Sequence, residues 1–160
     1  MKNRFSSIFL ATMLGYAASC GYAAPYHSSG PSLSKEGVQI TIAGERCFVN
    51  RSAEQIPTFS DDRFNLGVRL QVKNESSHVV VLSPDHILLS EVTGGERTVI
   101  QPREAEALSL QPGETKLVAL DFEQSGTLDC HHEMALETQG AVAIEGKQVS
   151  LDPIRFLASR

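Results

Sequence analysis

The strongest constraint on the fold is the alternation that runs from Phe64 to Lys73. Phe64, Leu66, Val68, Leu70 and Val72 fall on one side, and Asn65, Gly67, Arg69, Gln71 and Lys73 on the other. Side chains of an extended strand point to opposite faces at period two, so this run has one face in a core and one in water. The same period recurs at Val38, Ile40 and Ile42, where the chain continues through Cys47 to Val49, and again at Val118, Leu120 and Phe122. Amphipathic patterns of helix length are nearly absent. Arg103 to Leu110, with Glu104, Ala105, Glu106, Ala107 and Leu108, is the one place where a helical turn is expected.

Turn chemistry lies between the runs. Asn74-Glu75-Ser76-Ser77 predicts a hairpin from the Phe64 strand into His78 to Leu82, and Thr93-Gly94-Gly95-Glu96 turns Ile87 to Val92 back into Thr98 to Gln101. Gln111-Pro112-Gly113-Glu114 is a further turn, with proline pre-setting φ at its second position. Ala141 to Ile144 and Gln148 to Leu151 flank Glu145-Gly146-Lys147 as a terminal hairpin; Ile154 and Phe156 close the chain on the core, and Pro153 marks an edge or a bulge. Many short strands with turns between them predict an all-β class, an antiparallel β-sandwich.

Met1 to Ala24 reads as an export segment: Lys2 and Arg4, an apolar stretch from Ile8 to Ala18 interrupted by Thr12 and Gly15, then small residues. The stretch is too short to span a hydrocarbon layer of ~30 Å as a helix. Ala17-Ala18-Ser19-Cys20 resembles a bacterial lipobox, with Ala17 where leucine is usual. In that reading 1–19 is removed and Cys20 carries a diacylglyceryl group. Gly21-Tyr22-Ala23 offers an ordinary cleavage site instead, with 1–23 removed. Gly21 after the cysteine is not the aspartate associated with inner-membrane retention. The lipobox therefore implies an outer-membrane-anchored lipoprotein facing the periplasm, and the alternative a soluble periplasmic or secreted protein.

Either outcome leaves Cys47 and Cys130 as the thiols of an exported domain, and an oxidising compartment lets them pair as a disulfide. Residues 20–36, rich in serine with Pro25, Gly30 and Pro31, read as a flexible tether. Residues 37–160 are of the usual size for one domain. Loss of the first nineteen residues removes Lys2 and Arg4, so 12 of the 14 basic side chains remain against all 19 acidic ones, and the formal net charge goes from −5 to −7. Such a surface is repelled by phosphate backbones and anionic headgroups, so nucleic acid is not an expected partner and membrane contact is expected through the lipid alone.

Leu70-Gln71-Val72-Lys73-Asn74-Glu75-Ser76, then an apolar strand, then Leu110-Gln111-Pro112-Gly113-Glu114 and Leu120-Asp121-Phe122 form a pattern over residues 38 to 122. It resembles the immunoglobulin-like modules of small bacterial lipoproteins and secreted proteins of uncharacterised function. The resemblance implies an immunoglobulin-like sandwich and brings no catalytic residues with it. The tryptophan of antibody domains is absent, since the chain has none.

Potential metal ligands are dense only at Cys130-His131-His132-Glu133-Met134. Read as a strand, Cys130, His132 and Met134 share the core face with Leu128 and Leu136, which leaves His131 and Glu133 outside, with His78 or His86 as helpers. Imidazole plus carboxylate can take Zn²⁺ or Cu²⁺, but closed sites want about four ligands. Ser83-Pro84-Asp85-His86 holds three triad residue types, yet sequence neighbours rarely converge on one reacting atom. No phosphate loop, G-x-S-x-G or H-E-x-x-H motif occurs, and no catalytic residue or cofactor is expected. Asn50-Arg51-Ser52 and Asn74-Glu75-Ser76 match the glycosylation sequon, a pattern that also arises by chance.

The expectation is a non-enzymatic envelope lipoprotein that binds an envelope protein partner as an adapter, through an exposed sheet edge or end loops. The faces around Arg69 and Lys73 and the long loop Asn50 to Arg63 come first. The alternative is periplasmic Cu or Zn handling through His131 and Glu133. Enzyme inhibition by an inserted loop is a form of binding that sequence does not separate from the first.

Overall fold

The computed structural model describes residues 22–24, 26–28, 32–50, 62–92, 98–126 and 128–158. Among them the chain forms fifteen strands and no α-helix. In chain order these are β1 (Tyr22–Ala24), β2 (Tyr26–Ser28), β3 (Ser32–Lys35), β4 (Val38–Asn50), β5 (Arg63–Asn74), β6 (Val80–Leu82), β7 (Leu88–Glu91) and β8 (Val99–Ile100). They continue with β9 (Pro102–Arg103), β10 (Leu108–Leu110), β11 (Thr115–Ser125), β12 (Met134–Glu137), β13 (Val142–Ile144), β14 (Lys147–Val149) and β15 (Ile154–Ala158).

The fold is an all-β antiparallel sandwich. One layer is a six-stranded sheet ordered β1-β4-β5-β11-β9, with β3 also on β4. The other consists of β10-β6-β13-β14 and β2-β15-β12-β7-β8. These two are continuous through one interrupted ribbon. β6 pairs with β13 and β7 with β12, the chain passes between β6 and β7 by a short 3₁₀ turn at Pro84–His86, and Ser83 N–H donates to Ala141 O at 2.7 Å beside it. The inward sides of all three sheets meet in one core that holds Phe64, Phe122 and Phe156, each fully or almost fully buried. Burying side chains of this size contributes about 1.5–3 kcal/mol each.

The long strands obey the expected period two. Phe64, Leu66, Val68, Leu70 and Val72 of β5 and Val118, Leu120 and Phe122 of β11 are buried, and their neighbours face out. β4 adds a bulge. Ile42 lies opposite Leu70 but Gly44 opposite Arg69, so Ala43 is an extra residue. Before it Val38 and Ile40 point inward; after it Cys47 and Val49 do. A single inserted residue reverses the parity of everything that follows. Cys47 is thereby turned toward Cys130, and the two form a disulfide with Cα atoms 5.8 Å apart.

Four expectations are corrected. β5 and β6 are not a hairpin: β5 pairs with β4 and β11, β6 with β10 and β13. The chain crosses between layers at Asn74, whose buried Nδ2 donates to His78 O at 2.8 Å and Leu110 O at 3.0 Å, while Oδ1 accepts from Ser76 N–H at 3.0 Å and Ser76 Oγ at 2.7 Å. Arg103 to Leu110 forms no helical turn. So short a helix has little stability of its own, whereas β10 covers the edge of β6 and buries Leu110. Cys130 to Glu133 is not strand. His131 N–H donates to Asp129 Oδ1 at 2.7 Å and His132 N–H to Asp129 O at 3.3 Å, a turn that delays β12 until Met134. Within 20–36, read as a tether, β1 and β3 line the outer edge of β4 and β2 that of β15, because open edges present backbone groups that want partners. Residues 1–21, which hold Cys20 and all of the export segment but Tyr22 to Ala24, and residues 51–61 of the Asn50 to Arg63 loop lie outside the described residues.

Candidate functional site

The outward face of the six-stranded sheet carries a concave pit of about 680 Å³, walled among others by Arg46, Phe48, Asn65, Gly67, Arg103 and Asp121. Strand register builds it. Arg46 of β4 lies opposite Gly67 of β5, Gly67 opposite Asp121 of β11, and Asp121 opposite Arg103 of β9, a row across four strands. The next row runs Phe48, Asn65, Glu123. Gly67 makes the hole: glycine inside a strand gives up packing and marks close approach by another group. A Cβ there would sit 3.1 Å from Asp121 Oδ1, so the carboxylate leans over the gap.

Charge around the pit is distributed unevenly. Glu123 takes both Arg103, in a very close ion pair, and Arg63, at 3.3 Å. Asp121, although opposite Arg103, has no ion pair among the described residues. The Arg46 guanidinium lies over the Phe48 ring, 5.6 Å from its centroid, a cation–π contact that leaves its N–H donors to the solvent side. Glu104, on the far wall, has φ of 43°, in the left-handed region that costs a residue bearing a Cβ.

The residues singled out in the sequence scatter. Arg69 and Lys73 stand on the same outward face as the pit, and Arg69 Nη2 would be 3.3 Å from a Cβ on Gly44. Lys73 pairs with Glu75 at 2.8 Å. His131 is exposed on its turn, while Glu133 pairs with Arg155 at 3.4 Å and His132 with Glu91 at 3.2 Å. His78 contacts Glu145 at 2.8 Å, and His86 Nδ1 is 3.2 Å from Gly140 O, so both are engaged elsewhere. Among the described residues no group of three His, Cys, Asp or Glu is placed to hold a metal ion. Ser83 to His86 form the 3₁₀ turn, with His86 Nε2 at 3.7 Å from Asp85. No motif in the sequence marks Arg46, Phe48, Asp121 and Arg103 as a site. The one available signal is Gly67 in the middle of the best strand.

No family model matches the chain, and no curated protein matches it. Solved structures do. A candidate lipoprotein of Bacillus subtilis, ycdA, superposes with a TM-score of 0.55 at 14% identity over 79% of this chain and 38% of its own. The chain thus spans well under half the length of that protein. A second, the Northeast Structural Genomics Consortium target SoR45, gives a TM-score of 0.51 at 12% identity over 77% of this chain and 87% of its own. At such identities the likeness is one of fold.

Proposed function

We propose that this protein is a non-enzymatic lipoprotein of the cell envelope, an immunoglobulin-like module that binds an envelope protein partner through the outward face of its larger sheet. The observation that carries the reading is the pit over Gly67, a hollow in the outward face of the larger sheet, walled by an aromatic ring and by charges of both signs. Hollows with an aromatic and an arginine at their centre are the places where protein partners anchor. The anchored state rests on Ala17-Ala18-Ser19-Cys20 and on the similarity in fold to a candidate lipoprotein. Lipidation of Cys20 would hold the face at a membrane, where encounter with other envelope proteins is favoured by confinement.

The test is chemical crosslinking and pull-down of the full chain from native membranes, wild type against Gly67→Trp, which fills the pit. The expected result is a specific envelope protein captured by wild type and lost by the variant. Equal capture by both would refute this use of the face. In parallel, Cys20→Ala is expected to move the protein from the membrane pellet to the soluble fraction; unchanged pelleting would argue against the lipid.

A further inference from the structure

We propose that the pit receives an extended segment of the partner protein that crosses the strands and carries a basic and an acidic side chain two positions apart, the cation placed on Asp121 and the anion on Arg46. This deepens, and rests on, the reading of the face as a protein-binding surface.

Two opposite charges, Arg46 and Asp121, flank Gly67 in one row of the sheet. Adjacent strands are about 4.8 Å apart, so the backbones of Arg46 and Asp121, with β5 between them, stand about 10 Å from each other, and among the described residues no ion pair joins the two side chains. The side chain that would lie between them is missing at Gly67. Arg103 could neutralise Asp121 but goes to Glu123, which Arg63 also engages. Arg46 spends only its ring-facing side on Phe48. One pit therefore presents an anion and a cation, each without an ionic partner among the described residues.

An occupant complementary to both must itself carry both signs. A metal cation or a polyamine would satisfy Asp121 and repel Arg46. A phosphate or an anionic headgroup would satisfy Arg46 and meet Asp121, Glu104 and Glu123, on a chain of net charge −5. In an extended peptide, alternate side chains point the same way and are about 6.6 Å apart at the backbone, and flexible side chains supply the remaining reach. Lys or Arg at one position and Asp or Glu two positions on would meet the pair. The line from Arg46 to Asp121 runs across β4, β5 and β11, so the segment lies over the strands and does not extend the sheet at its edge.

The experiment uses the full chain in detergent and short synthetic peptides of serine and threonine with a central Lys-Thr-Glu, Glu-Thr-Lys, Lys-Thr-Lys or Glu-Thr-Glu. Binding is read by fluorescence anisotropy at low salt. One or both mixed peptides are expected to bind at least about tenfold tighter than the like-charged ones. Asp121→Lys is expected to move the preference to Glu-Thr-Glu, with thermal unfolding unchanged because the side chain is exposed. Absence of binding by every peptide, equal binding by all four, or a preference that Asp121→Lys leaves unmoved would overturn the proposal. The membrane pull-down separates the two readings. Capture lost with Gly67→Trp but kept with Asp121→Lys and Arg46→Glu removes the charge pair and leaves the binding face, whereas capture kept with Gly67→Trp removes the face itself.

Discussion

Asn74 has no exposed surface, and its side chain holds the start of the crossing between layers through Ser76 and His78 of the crossing itself and Leu110 of β10. Its backbone is also engaged: Asn74 N–H donates to Glu114 O at 2.9 Å, and Gly113 N–H donates to Asn74 O at 2.8 Å. Asn74→Ala would take a donor from the Leu110 carbonyl, the acceptor from the Ser76 N–H, and one of two donors from the His78 carbonyl, which Ser76 Oγ also reaches at 3.1 Å, and buried groups left unsatisfied cost ~1–3 kcal/mol each. Since water can reach His78 and Ser76, a loss of about 3 kcal/mol in unfolding free energy is expected from urea titration; a loss under about 1 kcal/mol would show that the crossing does not depend on this amide. The sequon at Asn74 is accordingly a chance match, because its amide is committed inside the protein. Glu114 works on the same junction. Its carboxylate accepts the Gln111 N–H at 2.7 Å, which holds its pKa below the ordinary 4.5, and Lys116 at 3.2 Å lowers it further. A depressed folded pKa gives stability that is present above the ordinary value and lost as pH falls through the folded one. The stability advantage of wild type over Glu114→Gln should therefore hold at neutral pH and shrink on acidification below about 4.5, as followed by thermal unfolding. A difference that stays constant down to the acid limit would show that the carboxylate is not the group responsible.

Among the elements, β4 shows how a local device sets the site. Without the bulge at Ala43, Arg46 and Phe48 would turn toward the core, and Cys47 and Val49 toward solvent. Deletion of Ala43 is expected to abolish the disulfide, so that thiol titration of the denatured, unreduced variant detects the reactivity of both cysteines; a variant that still lacks free thiols would mean that β4 can re-register by another route. The parity of each half of β4 was legible in the sequence, as was that of β5 and β11, because burial on one side imposes it. The joint between the halves was not, since Ala43-Gly44 has no signature to distinguish a bulge from continued strand. Turn chemistry was read correctly where it acts locally, as at Gln111 to Glu114, where Gly113 has φ of 78° and Glu114 N–H donates to Gln111 O at 2.9 Å. It was misread at Asn74 to Ser77. There the turn leads to a different sheet, and strand partners are decided by long-range packing that no local motif encodes. The pit was legible only as a glycine in the wrong place. Its lining comes from β4, β5, β9 and β11, which meet only in the folded protein.

For the molecule as a whole, the disulfide is the covalent tie between the two layers. Cys47 belongs to the larger sheet, and Cys130 to the turn that leads into β12 of the opposite layer, 83 residues later. Both are buried in the common core. Closing a loop of that length restricts the unfolded chain by roughly 4.5 kcal/mol in the chain-entropy treatment, and it brings β4 of one layer beside the segment that leads into β12 of the other before the layers pack. The core on either side of the bridge is continuous and apolar, so the fold itself does not require the bond; its stability does. Cys47→Ala/Cys130→Ala is thus expected to fold to the same far-ultraviolet spectrum while losing about 4 kcal/mol, measured by denaturant unfolding with each variant's own slope, because the more open unfolded chain of the variant exposes more surface. Peptide binding in the pit should survive at temperatures where the variant remains folded, since Arg46, Gly67 and Asp121 are placed by strand register rather than by the bridge. A double variant that is unfolded at room temperature would assign the bridge a part in specifying the layer arrangement. One that unfolds with wild-type stability would place the tie between segments that packing already holds.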